Sequence, residues 1–182
     1  MKTWTFPLLI VIISALVGCT PVGEVSPTPT DTEPSIMATP TPQWTDEEQE
    51  AVDAVLRYID MWTYIGQNLV EADWREIFQV AIAPETDHNQ KTWESWLEQG
   101  WHLEGSPVFE PSFVEIGVSD HSGQWYYVHG CYVIENSYIS DKDGNSVGDE
   151  GRRERGLALV MVLRIKTGEH FVAESKSEEG AC

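Results

Sequence analysis

Residues 124–140 read QWYYVHGCYVIENSYIS. Aromatic and β-branched residues dominate and no proline interrupts them, so the stretch reads as one long β-strand. Alternation places Trp125, Tyr127, His129 and Cys131 on a single face. Downstream, Asp141-Lys142-Asp143-Gly144-Asn145 supplies turn chemistry. Residues 152–166 then read as a strand that is apolar from Leu157 to Leu163, and Thr167-Gly168-Glu169 turns into a last strand at 170–175. Upstream, Ser122-Gly123 is a turn. Residues 107–119 alternate, with Val114, Ile116 and Val118 on one face and Phe113, Glu115 and Gly117 on the other. The sequence thus predicts a four-stranded antiparallel meander.

The pattern before residue 105 has a helical period. Thr45 and Glu48 form a capping box, and Asp46, Glu47 and Glu48 put negative charge where the helix dipole favours it. Val52, Val55, Leu56, Ile59 and Trp62 recur at helical spacing, which predicts a helix over 46–65. A second helix is expected over 74–81, capped by Asp73, with Trp74, Ile77 and Phe78 inward. A third is expected over 88–99, capped by Asp87, with Trp93, Trp96 and Leu97 inward and Gly100 at its end. Three helices followed by a meander is an α+β arrangement.

Farther out, the chain opens on Met1-Lys2 and an uncharged apolar run from Trp4 to Val17. That run fits the core of a signal peptide over residues 1–18. It closes on Leu16-Val17-Gly18-Cys19, which resembles a bacterial lipobox. The resemblance implies a diacylglycerol on Cys19, usually with a third acyl chain on the new amino terminus, and two or more chains anchor stably. Membrane contact through that anchor, at the extracytoplasmic face of the cell membrane, is the expectation. Residues 19–44 carry Pro21, Pro27, Pro29, Pro34, Pro40 and Pro42 among Ser and Thr. Such a segment reads as a disordered tether, either a spacer or a plain flexible tail. Residues 45–182 suffice for one domain with a sizeable core.

Eleven Lys plus Arg against thirty Asp plus Glu give a formal charge of −19. Phosphate backbones are repelled by such a surface, so nucleic acid is not expected as a partner. Eight Trp residues point to a large aromatic core or a pocket lined by part of it. With Cys19 assigned to lipid, Cys131 and Cys182 remain. Outside the cytoplasm two such thiols usually pair, and closing that loop is worth roughly 4 kcal/mol in chain entropy. The bond pins the carboxyl end. Two free structural thiols are the alternative.

The order of three helices and four long strands resembles the cone-shaped nuclear-transport-factor-2-like fold, and within it small actinobacterial lipoproteins. The residues that carry the resemblance run from Ala54 to Cys182. They include Tyr58 and Trp62, Asp73-Trp74-Arg75, Gly105-Ser106-Pro107-Val108, Gly130-Cys131, Arg155, Gly168 and the closing Gly180-Ala181-Cys182. Phe171 stands where such proteins often carry Trp. The resemblance implies three helices packed on one curved four-stranded sheet, with a pocket at its open end.

Enzymes of that fold place acid–base residues inside the cone, which makes Asp60, His129 and Tyr127 the candidate catalytic set here. Tyr58, Trp62 and Trp125 are candidate pocket-lining residues. A lone His among strand aromatics is more often a core or edge residue. Asp141 to Glu150 superficially suggests a calcium loop, but glycine comes fourth rather than sixth, and a hairpin tip explains it better. Arg152, Arg153 and Arg155 form a basic cluster able to offset that acidic loop. No phosphate loop, zinc spacing or nucleophile motif is present, so neither cofactor nor metal is expected. The leading reading is a non-catalytic module that binds an envelope protein or a small apolar ligand. The rival is a small pocket enzyme: an isomerase, dehydratase or hydrolase of a hydrophobic substrate.

Overall fold

The computed structural model describes residues 43–148, 154–178, 180 and 182. The expected signal peptide, Cys19, most of the tether, Arg152 and Arg153 lie outside the described residues.

Helix α1 spans Asp46–Gln67. Thr45 caps it reciprocally with Glu48: the Thr45 hydroxyl accepts from the Glu48 N–H, and the Glu48 carboxylate accepts from the Thr45 N–H at 2.8 Å. Its apolar stripe, Ala51, Val52, Val55, Tyr58, Ile59 and Ile65, is buried. Each buried Val or Ile contributes about 1.5–3 kcal/mol. A 3-10 helix over Trp74–Gln79 follows, capped by Asp73 through the Arg75 N–H. Helix α2 spans Glu85–Gln99 and ends on Gly100. Gly100 adopts the left-handed conformation (φ 70°) that a side chain would strain.

Six strands follow: β1 His102–Gly105, β2 Val108–Ile116, β3 Gly123–Val133, β4 Ser137–Ser140, β5 Arg155–Ile165 and β6 His170–Ser177. They form two antiparallel sheets. The larger is ordered β2-β3-β5-β6, and the smaller pairs β1 with β4. Helix α1 packs on one face of the larger sheet. Tyr126, Val128, Val160, Val162 and Val172 are buried in the same core as the α1 stripe.

The architecture is α+β, but the single four-stranded sheet of a nuclear-transport-factor-2-like cone is not what the chain forms. Two sheets overturn that expectation. Residues 124–140 are two strands, not one. A turn at Glu135-Asn136, closed by the Ser137 N–H to the Ile134 carbonyl (3.1 Å), breaks the run. Beyond it β4 pairs with β1 through Ser137–Gly105 and Ser140–His102.

The helices also differ from expectation. The second is 3-10 rather than α, and Phe78 is 49% exposed instead of inward. The third begins at Glu85, three residues early, with no side-chain cap from Asp87, and Leu97 is 45% exposed. Of the expected β2 face, Val114 packs against the core, whereas Ile116 and Val118 are exposed. Ile116 ends β2 at the edge of the sheet and Val118 lies beyond it, and nothing covers them among the described residues.

Candidate functional site

The face of the large sheet that meets α1 changes character along its length. At one end the cross-strand rows are bulky: Tyr126 sits opposite Val162, and Val162 opposite Val172. Toward the other end the rows become Gly130, Ala158 and Ser177, with Val160 opposite Ser175. Small residues there leave space that α1 does not fill. A cavity of about 340 Å³ results, walled by Tyr58, Ile59 and Trp62 from α1, Phe109 and Tyr132 from β2 and β3, and the start of α2.

Phe109 reaches this wall because Gly130 has no side chain. A Cβ at Gly130 would lie 2.5 Å from Phe109 Cζ and 2.6 Å from the Glu110 carbonyl oxygen. The Phe109 ring therefore lies over the Gly130 backbone and is itself buried.

One wall is polar. Residues 80–82 run parallel beside β6, with the Ile82 N–H bonded to the Val172 carbonyl at 2.9 Å. This strap delivers Glu85, the first residue of α2, to the side of Ser175. Glu85 is only 4% exposed. Its carboxylate accepts from the Ser175 N–H at 3.1 Å, from the Ser175 hydroxyl at 2.8 Å and from the Tyr58 hydroxyl. Asn89, one turn along α2 and also buried, donates its amide N–H to the Tyr58 oxygen at 3.2 Å. Because Tyr58 accepts from Asn89, its own proton points to Glu85. Three donors thus converge on Glu85, which acts as an acceptor throughout. Burial, reinforced by the charge and hydrogen bond of Glu85, pushes the Tyr58 hydroxyl well above its ordinary range.

Among the sequence candidates, Tyr58 and Trp62 line this cavity. Trp62 also meets Trp96 edge-on, with ring centroids 5.8 Å apart. Trp125, Tyr127 and His129 lie on the opposite face of β3, because Tyr126 and Val128 between them point into the core. His129 stacks on Phe113 at 4.1 Å between ring centroids. Its ring nitrogens lie 3.8 Å from Glu178 and 4.0 Å from Glu115. Asp60 is exposed on α1, which packs against the other face. The structure does not bring Asp60 and His129 together.

Cys131 and Cys182 are joined as a disulfide, with Cα atoms 5.8 Å apart. Arg155 pairs with Glu110 and Glu135 across the sheet, not with the 141–148 hairpin. Asp141 accepts from the Asn145 and Asp143 N–H groups, both at 2.9 Å, as a turn residue does. Among the described residues no three His, Cys, Asp or Glu side chains cluster as metal ligands. No described helix is long and apolar enough to cross a membrane.

Glu85, Asn89 and Ser175 escaped the sequence reading. Glu85 and Asn89 are four apart on one face of α2, and that spacing was the available signal. Their polar neighbours made α2 look like a solvated helix.

No family model matches the chain, and no curated protein matches it. Solved structures do. The intermembrane-space region of the chloroplast protein ARC6 superposes with a TM-score of 0.49 at 10% identity, over 75% of this chain and 98% of that one. A protein from Catenulispora acidiphila gives a TM-score of 0.39 at 14% identity, over 71% of this chain and 92% of that one.

Proposed function

We propose that the chain is a lipid-anchored, extracytoplasmic module that holds a small, largely apolar ligand without transforming it. The observation that carries the binding half is the cavity between α1, α2 and the sheet, with its Tyr58, Trp62, Phe109 and Tyr132 walls. Its volume falls within the range of small-molecule sites. The non-catalytic half rests on the polar wall. Glu85 is tied by three internal donors and Tyr58 holds its proton more tightly than usual. A tyrosine hydroxyl held in that way is not poised to give its proton to a substrate near neutral pH. The anchor rests on Leu16-Val17-Gly18-Cys19 behind the apolar run, and the Cys131–Cys182 bridge agrees with an oxidising compartment.

Full-length protein extracted from the membrane of producing cells, analysed by native and denaturing mass spectrometry, tests both halves. The mature chain begins at acylated Cys19 and carries an unmodified small molecule. In an Ala158→Trp variant, whose indole fills the cavity, the molecule is gone while circular dichroism is unchanged. An unacylated Cys19 refutes the anchor. An empty wild-type cavity, or conversion of the bound molecule on incubation, refutes the holding role.

A further inference from the structure

A second property of the cavity concerns charge. Glu85 is nearly sealed from solvent, and three donors hold it as an acceptor. Its place at the first turn of α2 also favours negative charge. Yet no Lys or Arg of the described residues pairs with it. Lys176, which lines the cavity with a side chain 53% exposed, gives its ammonium to Glu174 at 2.9 Å. Arg155 and Arg164 are committed to Glu110 and Glu47. A buried carboxylate without a counter-cation is costly, and hydrogen bonds offset only part of that cost. Facing the same space are the aromatic side chains of Trp62, Phe109 and Tyr132. Aromatic faces attract cations within about 6 Å, most strongly where water is excluded.

We infer that the cavity selects an organic cation: an amine or quaternary ammonium group carried on an apolar body. The ammonium supplies the positive charge that Glu85 is not paired with, the rings enclose its alkyl groups, and the apolar body takes the space over Ala158 beside Phe109. The chain's charge of −19 adds a field that gathers cations and repels anions. This inference rests on the ligand-holding reading and names the class of ligand.

Calorimetric titration of the full-length protein in detergent tests it with three probes of one ring size: benzyltrimethylammonium, benzyl alcohol and benzoate. The wild type binds the ammonium at least tenfold more tightly than the alcohol, and benzoate more weakly than either. Glu85→Gln brings the ammonium down to the level of the alcohol, and Ala158→Trp abolishes binding of both. Equal affinity for ammonium and alcohol, or preference for benzoate, overturns the charge selection and leaves the ligand-holding reading intact. Binding of none of the three overturns both. Where Glu85→Gln fails to fold, the three-probe comparison on the wild type decides alone.

Discussion

Tyr58 is the residue on which the polar wall turns. It accepts from Asn89 and donates to Glu85, so it links two buried groups on α2 to the middle of α1. Tyr58→Phe keeps the ring and its packing but removes one of the three donors to Glu85. The partner left short of a hydrogen bond stays buried, and such a loss costs about 1–3 kcal/mol. A lower urea midpoint with an unchanged slope is the expected result, and an unchanged midpoint contradicts the assigned network. The same residue sets an alkaline limit. Its folded hydroxyl titrates above the unfolded value of 10.0. The unfolded chain therefore loses this proton first as pH rises past 10, and stability falls there. That component is missing from the Phe variant, and pH-dependent unfolding of the two proteins compared side by side shows the difference.

At the scale of elements, small residues in the sheet decide where the site lies. Gly130 admits Phe109, and Ala158 and Ser175 leave the space beside it. In Gly130→Ala the new methyl meets Phe109 and the backbone oxygen of Glu110 at under 3 Å. The aromatic ring can swing away but the carbonyl, held in the β2–β3 ladder, cannot. Overpacking of this kind costs about 1–3 kcal/mol. A lowered thermal midpoint together with weaker ligand binding is expected, because a displaced Phe109 enters the cavity. An Ala variant as stable as the wild type contradicts the packing described. How far such features were legible differs by element. Helix α1 was readable because capping box and apolar stripe agree, and Tyr58 and Trp62 came with it. The strands β2, β3, β5 and β6 were readable from β-branched content. The break at Glu135-Asn136 was not, because Ser137 to Ser140 repeats the β-pattern and a strand's partner is not written in its own residues. His129 was placed on the wrong side for the same reason: alternation groups Trp125, Tyr127 and His129, but only the packing of α1 says which group faces in. Glu85 was missed because its partner, Ser175, lies ninety residues away.

For the whole molecule, the acidic surface and the Cys131–Cys182 disulfide act together. Many carboxylates repel one another at neutral pH, so the compact state starts from a deficit that the core and the covalent bridge must offset. The bridge ties Cys131, in register with Leu157 on β5, to Cys182 across a separation of 51 residues. Glu178 donates its N–H to the Leu157 carbonyl at 2.9 Å, and Gly180 sits against the Leu157 side chain, where a Cβ would come within 2.7 Å. Gly180 and Cys182 are thus held on the outer face of the sheet, the face opposite α1. Two consequences separate here. If the bridge only fastened a strap, its removal would loosen that strap and leave global unfolding unchanged. If it restricts the unfolded chain, the loop it closes is worth roughly 4 kcal/mol, a large fraction of the 5–15 kcal/mol typical of a domain. The second outcome is expected for the Cys131→Ala/Cys182→Ala double variant, which leaves no unpaired thiol from the bridge. Its urea midpoint falls well below that of the oxidised protein. Added salt screens the acidic surface and narrows the gap between the variant and the unsalted wild type. An unchanged midpoint, with faster hydrogen exchange limited to residues 178–182, would restrict the bridge to the strap.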